Sequence, residues 1–466
     1  MRALLPGPAR NASVGMTQHK GDAMDWLTKP ATEQGRAILA GLVSPVDLTE
    51  GYLDAIAANP DEARIFARQT PIRARGEAMA AHDRARAGQR RGLLDGVALA
   101  WKDNIDSANI ATEAGSRLLE GRTPVRDAAI LRIATMQGAV CLGKTHMTEL
   151  AFSGLGVNPS TATPPNSIDP ALAPGGSSSG SAVAVALGLA AAAIGTDTGG
   201  SIRLPAAWND LVGFKPTHGR INMDGVVPLC ESFDVAGPIA RNVEDCAELT
   251  ALLTGHPAPD LRGDRPRGLR FVVLDGLPFD GADSAPVHAF EEAVDRLAQG
   301  GIHITHARSA AADLAMQEGT PLYSPEAYGI WRAQIEDAPE LMHQATLARF
   351  RRGQEMSAPD FVAGWVALRR ARSQWLEEIT TFDAAILPTS PILPPDAARA
   401  ASDDGYFTDR NMLSLRNTRI GNVLGCPSIS LPTGRPACGL MLIGRPGADL
   451  SLLVTAAAVE AALGVA

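Results

Sequence analysis

The sequence lacks the features of a membrane or a secreted protein. No apolar run reaches the ~18–20 residues that a helix needs to span a bilayer. Residues 1–15 are basic, but Pro6 interrupts their apolar stretch, which is not typical of a signal peptide. The five cysteines, at 141, 230, 246, 426 and 438, are scattered and odd in number, which indicates reduced thiols. We therefore expect a cytoplasmic protein that does not bind a membrane.

Basic clusters and metal-ligand patterns are also scarce. Lys and Arg number 42 against 51 Asp and Glu, so the formal net charge is −9. An acidic chain without a basic run is not typical of a nucleic-acid-binding protein. The 9 histidines form no group with metal-ligand spacing, and His-Glu-x-x-His does not occur. We expect neither a metal nor another cofactor.

What remains is an ordinary globular composition, with 45% hydrophobic and 20% charged residues. Residues 1–25, rich in Pro, Gly and polar residues, are interpreted as a loose leader, and residues 26–466 as a single domain. Short apolar strands alternate with amphipathic helices along this domain, which favours an α/β fold with a mostly buried sheet. The predicted strands are 96–101, 139–142, 269–274, 302–305 and 384–387. Two helices are predicted within 35–58, with a break at Ser44-Pro45. The other predicted helices are 71–87, 127–137, 286–299 and 357–382.

Two clusters of glycine and serine stand out, Gly175–Ser181 and Gly199–Ser201. An Ala-rich stretch between them predicts a helix that leads from one loop to the other. A flexible linker would also be rich in Gly and Ser. It would not carry Asp197, Arg203 and an apolar helix between its halves, so we favour a functional site.

The residues before Ser201 predict an anion-binding loop. Successive small residues, Thr198 to Ser201, allow backbone N–H groups to point into one concavity. A serine nucleophile needs such donors because its tetrahedral intermediate carries an oxyanion. Ser201 also needs a base, and Lys102 follows a buried apolar strand, where loss of solvent lowers the pKa of an amine. Taken alone, a lysine in this position is more often a solvated residue at the rim of the sheet.

Several motifs flank these residues. In chain order they are GVALAWKDNID, GKTHMTELAFS, PGGSSSGSA, GTDTGGSIRLPAA, GFKPTHGR, SFDVAGPIAR, GNVLGCPSISLPTG and GLMLIG. Together they resemble the amidase signature hydrolases, over about residues 75–245 and again over 380–445. The resemblance implies an α/β fold whose large, mixed and mostly buried sheet is covered by helices on both faces. It also implies a hydrolase that cleaves amide-type bonds.

The resemblance assigns roles by position. It implies a Ser-Ser-Lys triad in which Ser201 is the nucleophile, Ser177 is a bridging serine after a cis peptide, and Lys102 is the base. The implied oxyanion donors are the backbone N–H groups of Thr198, Gly199, Gly200 and Ser201, and the implied supporting residues are Ser178, Asp197 and Arg203.

Two other motifs compete with this interpretation. Gly138–Thr145 fits the P-loop pattern, but a helix is predicted before it and a strand inside it, the reverse of what a phosphate loop needs. Gly176–Gly180 fits the G-x-S-x-G elbow, with Ser178 as nucleophile, but the preceding ALAPG is not a strand. His218, the histidine closest to Ser201 in sequence, lies in a predicted turn.

The substrate is the least determined feature. Apolar candidates for its pocket are Met147, Phe152, Tyr323 and Trp331. Arg416 and Arg419 form either a clamp for a substrate carboxylate or a solvated helix face, and we favour the solvated face. Small amides with aryl or other apolar groups are the expected substrates together with water, and carbamates or esters are chemically similar.

Three functions stay open at this point. The first is a free-standing amidase, either a monomer or a homodimer. The second is the glutaminase-type subunit of a tRNA-dependent amidotransferase. His218 stands where Tyr is common in those subunits, and Met441 where Gln is common, which weakens this alternative. The third is a non-catalytic binding protein on the same fold, against which the intact Lys102, Ser177 and Ser201 argue.

Overall fold

One mixed sheet runs through the fold. The computed structural model describes residues 24–261 and 268–465, so that nearly all of the predicted leader lies outside the described residues. Within these residues the strands of the sheet are β1 Phe66–Gln69, β2 Ala98–Lys102, β3 Val140–Thr145, β4 Ala192–Asp197, β5 Val212–Lys215, β6 Val235–Ala240, β7 Arg270–Leu274, β8 His303–Ala307, β9 Ala384–Pro388, β10 Ser428–Pro432 and β11 Gly439–Ile443. Their order across the 11-stranded sheet is β1-β3-β2-β4-β6-β5-β10-β11-β9-β7-β8.

Parallel and antiparallel pairs are both present in this sheet. Strand β2 is parallel to β3 and β4, and β7 is parallel to β8 and β9. The other pairs are antiparallel. Every residue of β2, β3 and β4 is buried. The expected α/β fold with a large, mixed and mostly buried sheet is confirmed.

Helices cover this sheet. Their bounds are α1 Ala31–Leu39, α2 Pro45–Ala58, α3 Glu62–Ile65, α4 Pro71–Arg86, α5 Ala129–Met136, α6 Ser179–Ala186, α7 Arg203–Trp208, α8 Val243–Thr254, α9 Ser284–Gln299, α10 Ala310–Gly319, α11 Tyr323–Asp337, α12 Gln344–Arg351, α13 Ala358–Ile379, α14 Ala397–Ser402, α15 Asp404–Ser414, α16 Arg416–Val423 and α17 Asp449–Leu463. Ser44 caps α2 by accepting a hydrogen bond from the Asp47 amide at 3.0 Å, as the Ser-Pro pair predicts. In the part of the chain that is described, no helix is long and apolar enough to cross a membrane.

The stretch between the two glycine-serine clusters differs from the prediction. Only Ser179–Ala186 is helical, and Ala192–Asp197 forms the interior strand β4. Gly188, with φ of +71°, turns the chain after the helix. Alanine favours a helix in isolation, but pairing with β2 and β6 overrides that propensity in a buried strand.

This topology places two polar residues at one edge of the sheet. Because β2 and β4 are parallel neighbours, their carboxyl ends lie side by side. Lys102 is the last residue of β2 and Asp197 the last of β4. A methyl group on Gly195 would lie 2.6 Å from Ser178 Oγ, so a residue without a side chain is needed for the serine loop to approach β4.

Candidate active site

Lys102 lies at the centre of the site and is wholly buried. Its Nζ atom is 2.7 Å from Ser177 Oγ, 2.8 Å from Thr196 Oγ1 and 3.2 Å from the Thr196 carbonyl oxygen. Burial lowers the pKa of Lys102 to about 7, against the opposing charges of Asp197 and Asp234. The alternative of a solvated lysine at the rim of the sheet is therefore wrong.

The two serine loops are joined to each other. The Gly176–Ser177 peptide is cis. The Ser178 amide donates to the Ser201 carbonyl at 3.3 Å, and Ser178 Oγ donates to the Thr196 carbonyl at 3.2 Å. Ser178 therefore connects the loop that carries Ser177 to the loop that carries Ser201.

Asp197 organises the loop that leads to Ser201. Its carboxylate accepts hydrogen bonds from the Gly200 and Ile202 amides at 2.8 and 3.1 Å. Arg203 Nη2 donates to it at 2.9 Å in an ion pair whose two side chains are fully buried. Although burial acts in the opposite direction, Arg203 and the other donors hold the pKa of Asp197 at about 2.

The N–H groups of this loop correct one prediction. Because the Gly200 amide donates to Asp197, it is not free to bind an oxyanion. Within residues 24–261 and 268–465, the amides of Thr198, Gly199 and Ser201 make no hydrogen bond. The carbonyls of Thr198 and Gly199 accept from the Tyr323 hydroxyl at 3.0 Å and from Thr418 Oγ1 at 2.8 Å. Three of the four predicted donors are therefore free, and their role stays a prediction, whereas the engaged Gly200 amide is removed from the set.

Asp234 is a buried acid that the sequence analysis does not single out. Thr198 Oγ1 donates to it at 2.5 Å, and the Leu229 and Cys230 amides donate at 2.8 and 3.0 Å. Burial raises the pKa of Asp234 to about 7. The sequence feature that could have identified Asp234 is its position as an acidic residue inside the apolar motif SFDVAGPIAR. Only the fold places it next to Thr198.

A narrow cavity, here called the inner cavity, lies over Ser201. Its lining residues are Ala151, Phe152, Ser153, Thr198, Gly199, Ser201, Leu229, Tyr323, Arg349, Leu415 and Arg419. Two of the predicted pocket residues, Phe152 and Tyr323, line this cavity, and their contact with substrate stays a prediction. Met147, which is fully buried in the apolar core, and Trp331, whose Nε1 donates to the Pro228 carbonyl at 2.9 Å, do not line it, which corrects the prediction for these two residues.

The two candidate arginines on α16 have different surroundings. Arg416 is half-buried and donates to the carbonyls of Pro278 and Asp280. Arg419 is only 3% exposed and lines the inner cavity. The favoured interpretation of a solvated face is therefore wrong for Arg419. Arg349, which the sequence analysis missed, lies in the same cavity because α12 folds over Phe152.

The competing motifs have the wrong structural context. In Gly138–Thr145, helix α5 precedes the pattern and strand β3 fills it. Residues 155–178, all of which the structure describes, contain no strand of the sheet before the Gly176–Gly180 motif. His218 is exposed in a turn, with Nε2 2.9 Å from the Glu231 carbonyl oxygen.

The ion pair of Asp197 and Arg203 gives a stability prediction. Replacing Asp197 by Asn leaves Arg203 buried without a counter-charge, so we expect the free energy of unfolding to fall by about 3–5 kcal/mol. Urea unfolding would measure the change. Glu292→Gln is the matched control, because it breaks an exposed pair with Arg435 and should have no measurable effect. Equal effects of the two substitutions would contradict the structural role of Asp197.

Comparisons with known proteins identify the family of this chain. Residues 47–453 match the family model Amidase. A glutamyl-tRNA(Gln) amidotransferase subunit from Anaeromyxobacter sp. (strain K) is 31% identical, covering 93% of this chain and 96% of the relative. A 2-amino-5-chloromuconic acid deaminase of Comamonas testosteroni is 34% identical, covering 84% and 87%. The solved peptide amidase of Stenotrophomonas maltophilia has a TM-score of 0.79 and 27% identity, covering 94% of this chain and 97% of that one. The chain therefore belongs to the amidase family and is a hydrolase that acts on carbon–nitrogen amide bonds.

Proposed function

We propose that this hydrolase cleaves small amides through an acyl-enzyme on Ser201, with Lys102 and Ser177 as a proton relay. The observation that carries the proposal is the distance of 2.7 Å between Lys102 Nζ and Ser177 Oγ, in a site where the lysine is wholly buried. With its pKa lowered to about 7, Lys102 is largely neutral at slightly alkaline pH and can accept a proton.

Thr196 sets the direction of this proton transfer. A neutral amine has two N–H groups and one lone pair. Both oxygens of Thr196 lie within hydrogen-bond distance of Lys102 Nζ and can accept the two N–H groups. The lone pair then faces Ser177 Oγ, whose proton it receives. Thr196 is in this scheme a positioning residue for the base.

The reaction proceeds in two halves. Ser201 gives its proton to Ser177 as Ser177 gives its own to Lys102, and Ser201 Oγ bonds to the amide carbon. The free amides of Thr198, Gly199 and Ser201 stabilise the oxyanion. The carbon–nitrogen bond then breaks, and the proton returns through Ser177 to the leaving amine. Water enters and releases the acyl group by the same steps.

The link between the two serines forms during the reaction. Among the described residues, Ser201 Oγ has no hydrogen-bond partner. Catalytic hydrogen bonds are often long in substrate-free sites and tighten in the complex. Rotation about the Ser201 side chain is the movement that this scheme requires.

A substrate panel tests the proposed reaction. The purified protein is given an anilide, a primary amide, an aryl ester, an aryl carbamate and glutamine, and product release is measured. Turnover of a small amide by the chain alone is the expected result. Release from glutamine alone, appearing only with added partner proteins, would instead support the glutaminase-type alternative, to which amidotransferase relatives point.

A further inference from the structure

We infer that the substrate is a primary amide that carries a carboxylate and no ammonium group, and that Arg419 and Arg349 bind this carboxylate. The inference rests on the proposed function, because it names the substrate class of the same site. It is carried by two guanidinium groups that line the inner cavity together with Ser201. None of the described residues that line this cavity carries a negative charge.

Arg419 is a buried charge whose side chain has no hydrogen-bond partner. Within residues 24–261 and 268–465, its guanidinium makes no hydrogen bond or ion pair, and Nη2 is shielded from solvent and unsatisfied. Burial lowers its pKa, against the opposing effect of Tyr323. A buried, unpaired guanidinium is costly, which is the reason to expect an anionic ligand opposite it.

Arg349 adds a second positive charge to the same space. Its Nη1 donates to the Phe152 carbonyl at 3.0 Å, and its guanidinium lies 4.2 Å from the centre of the Phe152 ring. Burial, together with the positive charge of Arg419, lowers the pKa of Arg349 to about 9. In the described part of the chain, neither arginine forms an ion pair with an acidic residue. Two repelling cations in one cavity favour a shared anion.

The position of Arg419 sets where the carboxylate lies. A methyl group on Gly199 would be 3.8 Å from Arg419 Nε, so the guanidinium lies beside the loop of free amides. Tyr323, Arg349 and Arg419 also line a neighbouring, outer cavity of about 310 Å³, which can hold the rest of a small molecule. The carboxylate therefore lies on the acyl side, close to the scissile bond.

The same cavity disfavours an ammonium group. Among the described residues, none that lines the inner cavity is acidic, and Leu415 occupies the wall beside Arg419. An α-ammonium there would be buried near two cations without a partner. The space over Ser201 is also small, because the inner cavity measures only about 20 Å³, which favours ammonia as the leaving amine.

Three primary amides of similar length test the inference by ammonia release: glutaramide, which is neutral, glutaramate, which has a carboxylate, and glutamine, which adds an ammonium. We expect the wild type to favour glutaramate over glutaramide about 100-fold in kcat/KM. We expect it to favour glutaramate over glutamine at least about tenfold. Equal values for glutaramate and glutaramide would overturn the clamp, and a preference for glutamine would overturn the exclusion of ammonium.

Arg419→Gln should remove the preference, lowering the ratio of kcat/KM for glutaramate to kcat/KM for glutaramide about 100-fold. Arg416→Gln is the matched control, since Arg416 lies on the same helix outside the inner cavity, and it should keep the preference. If Arg419→Gln lowered kcat/KM equally for both amides, the assignment of Arg419 to the carboxylate would be overturned. Arg419→Lys, which keeps the charge but not the paired donors, should keep part of the preference.

Binding of glutarate gives a readout that does not need turnover. Glutarate should raise the Tm of the wild type and of Arg416→Gln but not of Arg419→Gln, and no shift in any protein would overturn the clamp. A Ser201→Ala protein that still released ammonia would overturn the proposed mechanism and leave the charge preference intact. The two failures can therefore be told apart.

Discussion

Replacing Ser201 by alanine is expected to lower kcat for an amide substrate at least about 10⁴-fold, the scale of losing a nucleophile. The physical reason is that no covalent intermediate can form, while the free amides and the cavity still bind the substrate. Steady-state and single-turnover rates on the same amide would measure the loss. A Ser201→Ala protein with normal turnover would end the proposed mechanism.

The fold of this variant should be unchanged, because Ser201 Oγ has no hydrogen-bond partner among the described residues and the hydroxyl is traded for a hydrogen atom. Thermal unfolding checks this directly.

An aryl fluorophosphonate provides a second test of the nucleophile, since it modifies an activated serine covalently. Peptide mapping should find the label on Ser201. A label on Ser178 instead would support the nucleophile elbow that the structural context argues against.

Activity should rise with pH through about 7, because the relay requires neutral Lys102. The pH profile of kcat/KM reports this group in the free enzyme and should show an acidic limb near that value. Lys102→Met should lower kcat by about 10⁴-fold, as loss of a general base does in a coupled triad. A profile that is flat between pH 6 and 9 would contradict the role of Lys102.

The same residue makes a prediction about stability. Burial lowers the pKa of Lys102 from 10.5 to about 7, so between these values the unfolded chain binds more protons than the folded one. The contribution of Lys102 to the free energy of unfolding is therefore most unfavourable below pH 7 and improves as the pH rises toward 10.5. We expect Lys102→Met to raise the Tm at pH 6, with a smaller gain at pH 9.

Lys144 is the matched control for this substitution. It is also wholly buried, but its Nζ lies 3.2 Å from Asp103 in an ion pair. Lys144→Met leaves the Asp103 carboxylate buried without a counter-charge and should lower the free energy of unfolding by about 3–5 kcal/mol. If Lys102→Met lowered the free energy of unfolding by a similar amount at pH 6, this would contradict the idea that Lys102 serves catalysis and destabilises the fold.

Local pattern was enough to predict part of the framework. Short apolar runs and capping residues predicted β2, α2 and α13 within a few residues, because burial and capping act over short stretches of chain. Pairing in the sheet acts over long distances, and it converted the second half of the Ala-rich stretch into β4. The strand β1 carried too weak a pattern to be predicted.

The sequence by itself determined the family, the fold class and the identity of the candidate relay residues, since these depend on motifs in which the residue types and their spacing are enough. Only the tertiary structure decided how those groups are used. It buried Lys102 against Thr196, engaged the Gly200 amide with Asp197, and brought Arg349 and Arg419 from distant helices to Ser201. The reason is physical: burial, pKa and the pairing of charges depend on every element packed around a group, and most of those elements lie far away along the chain.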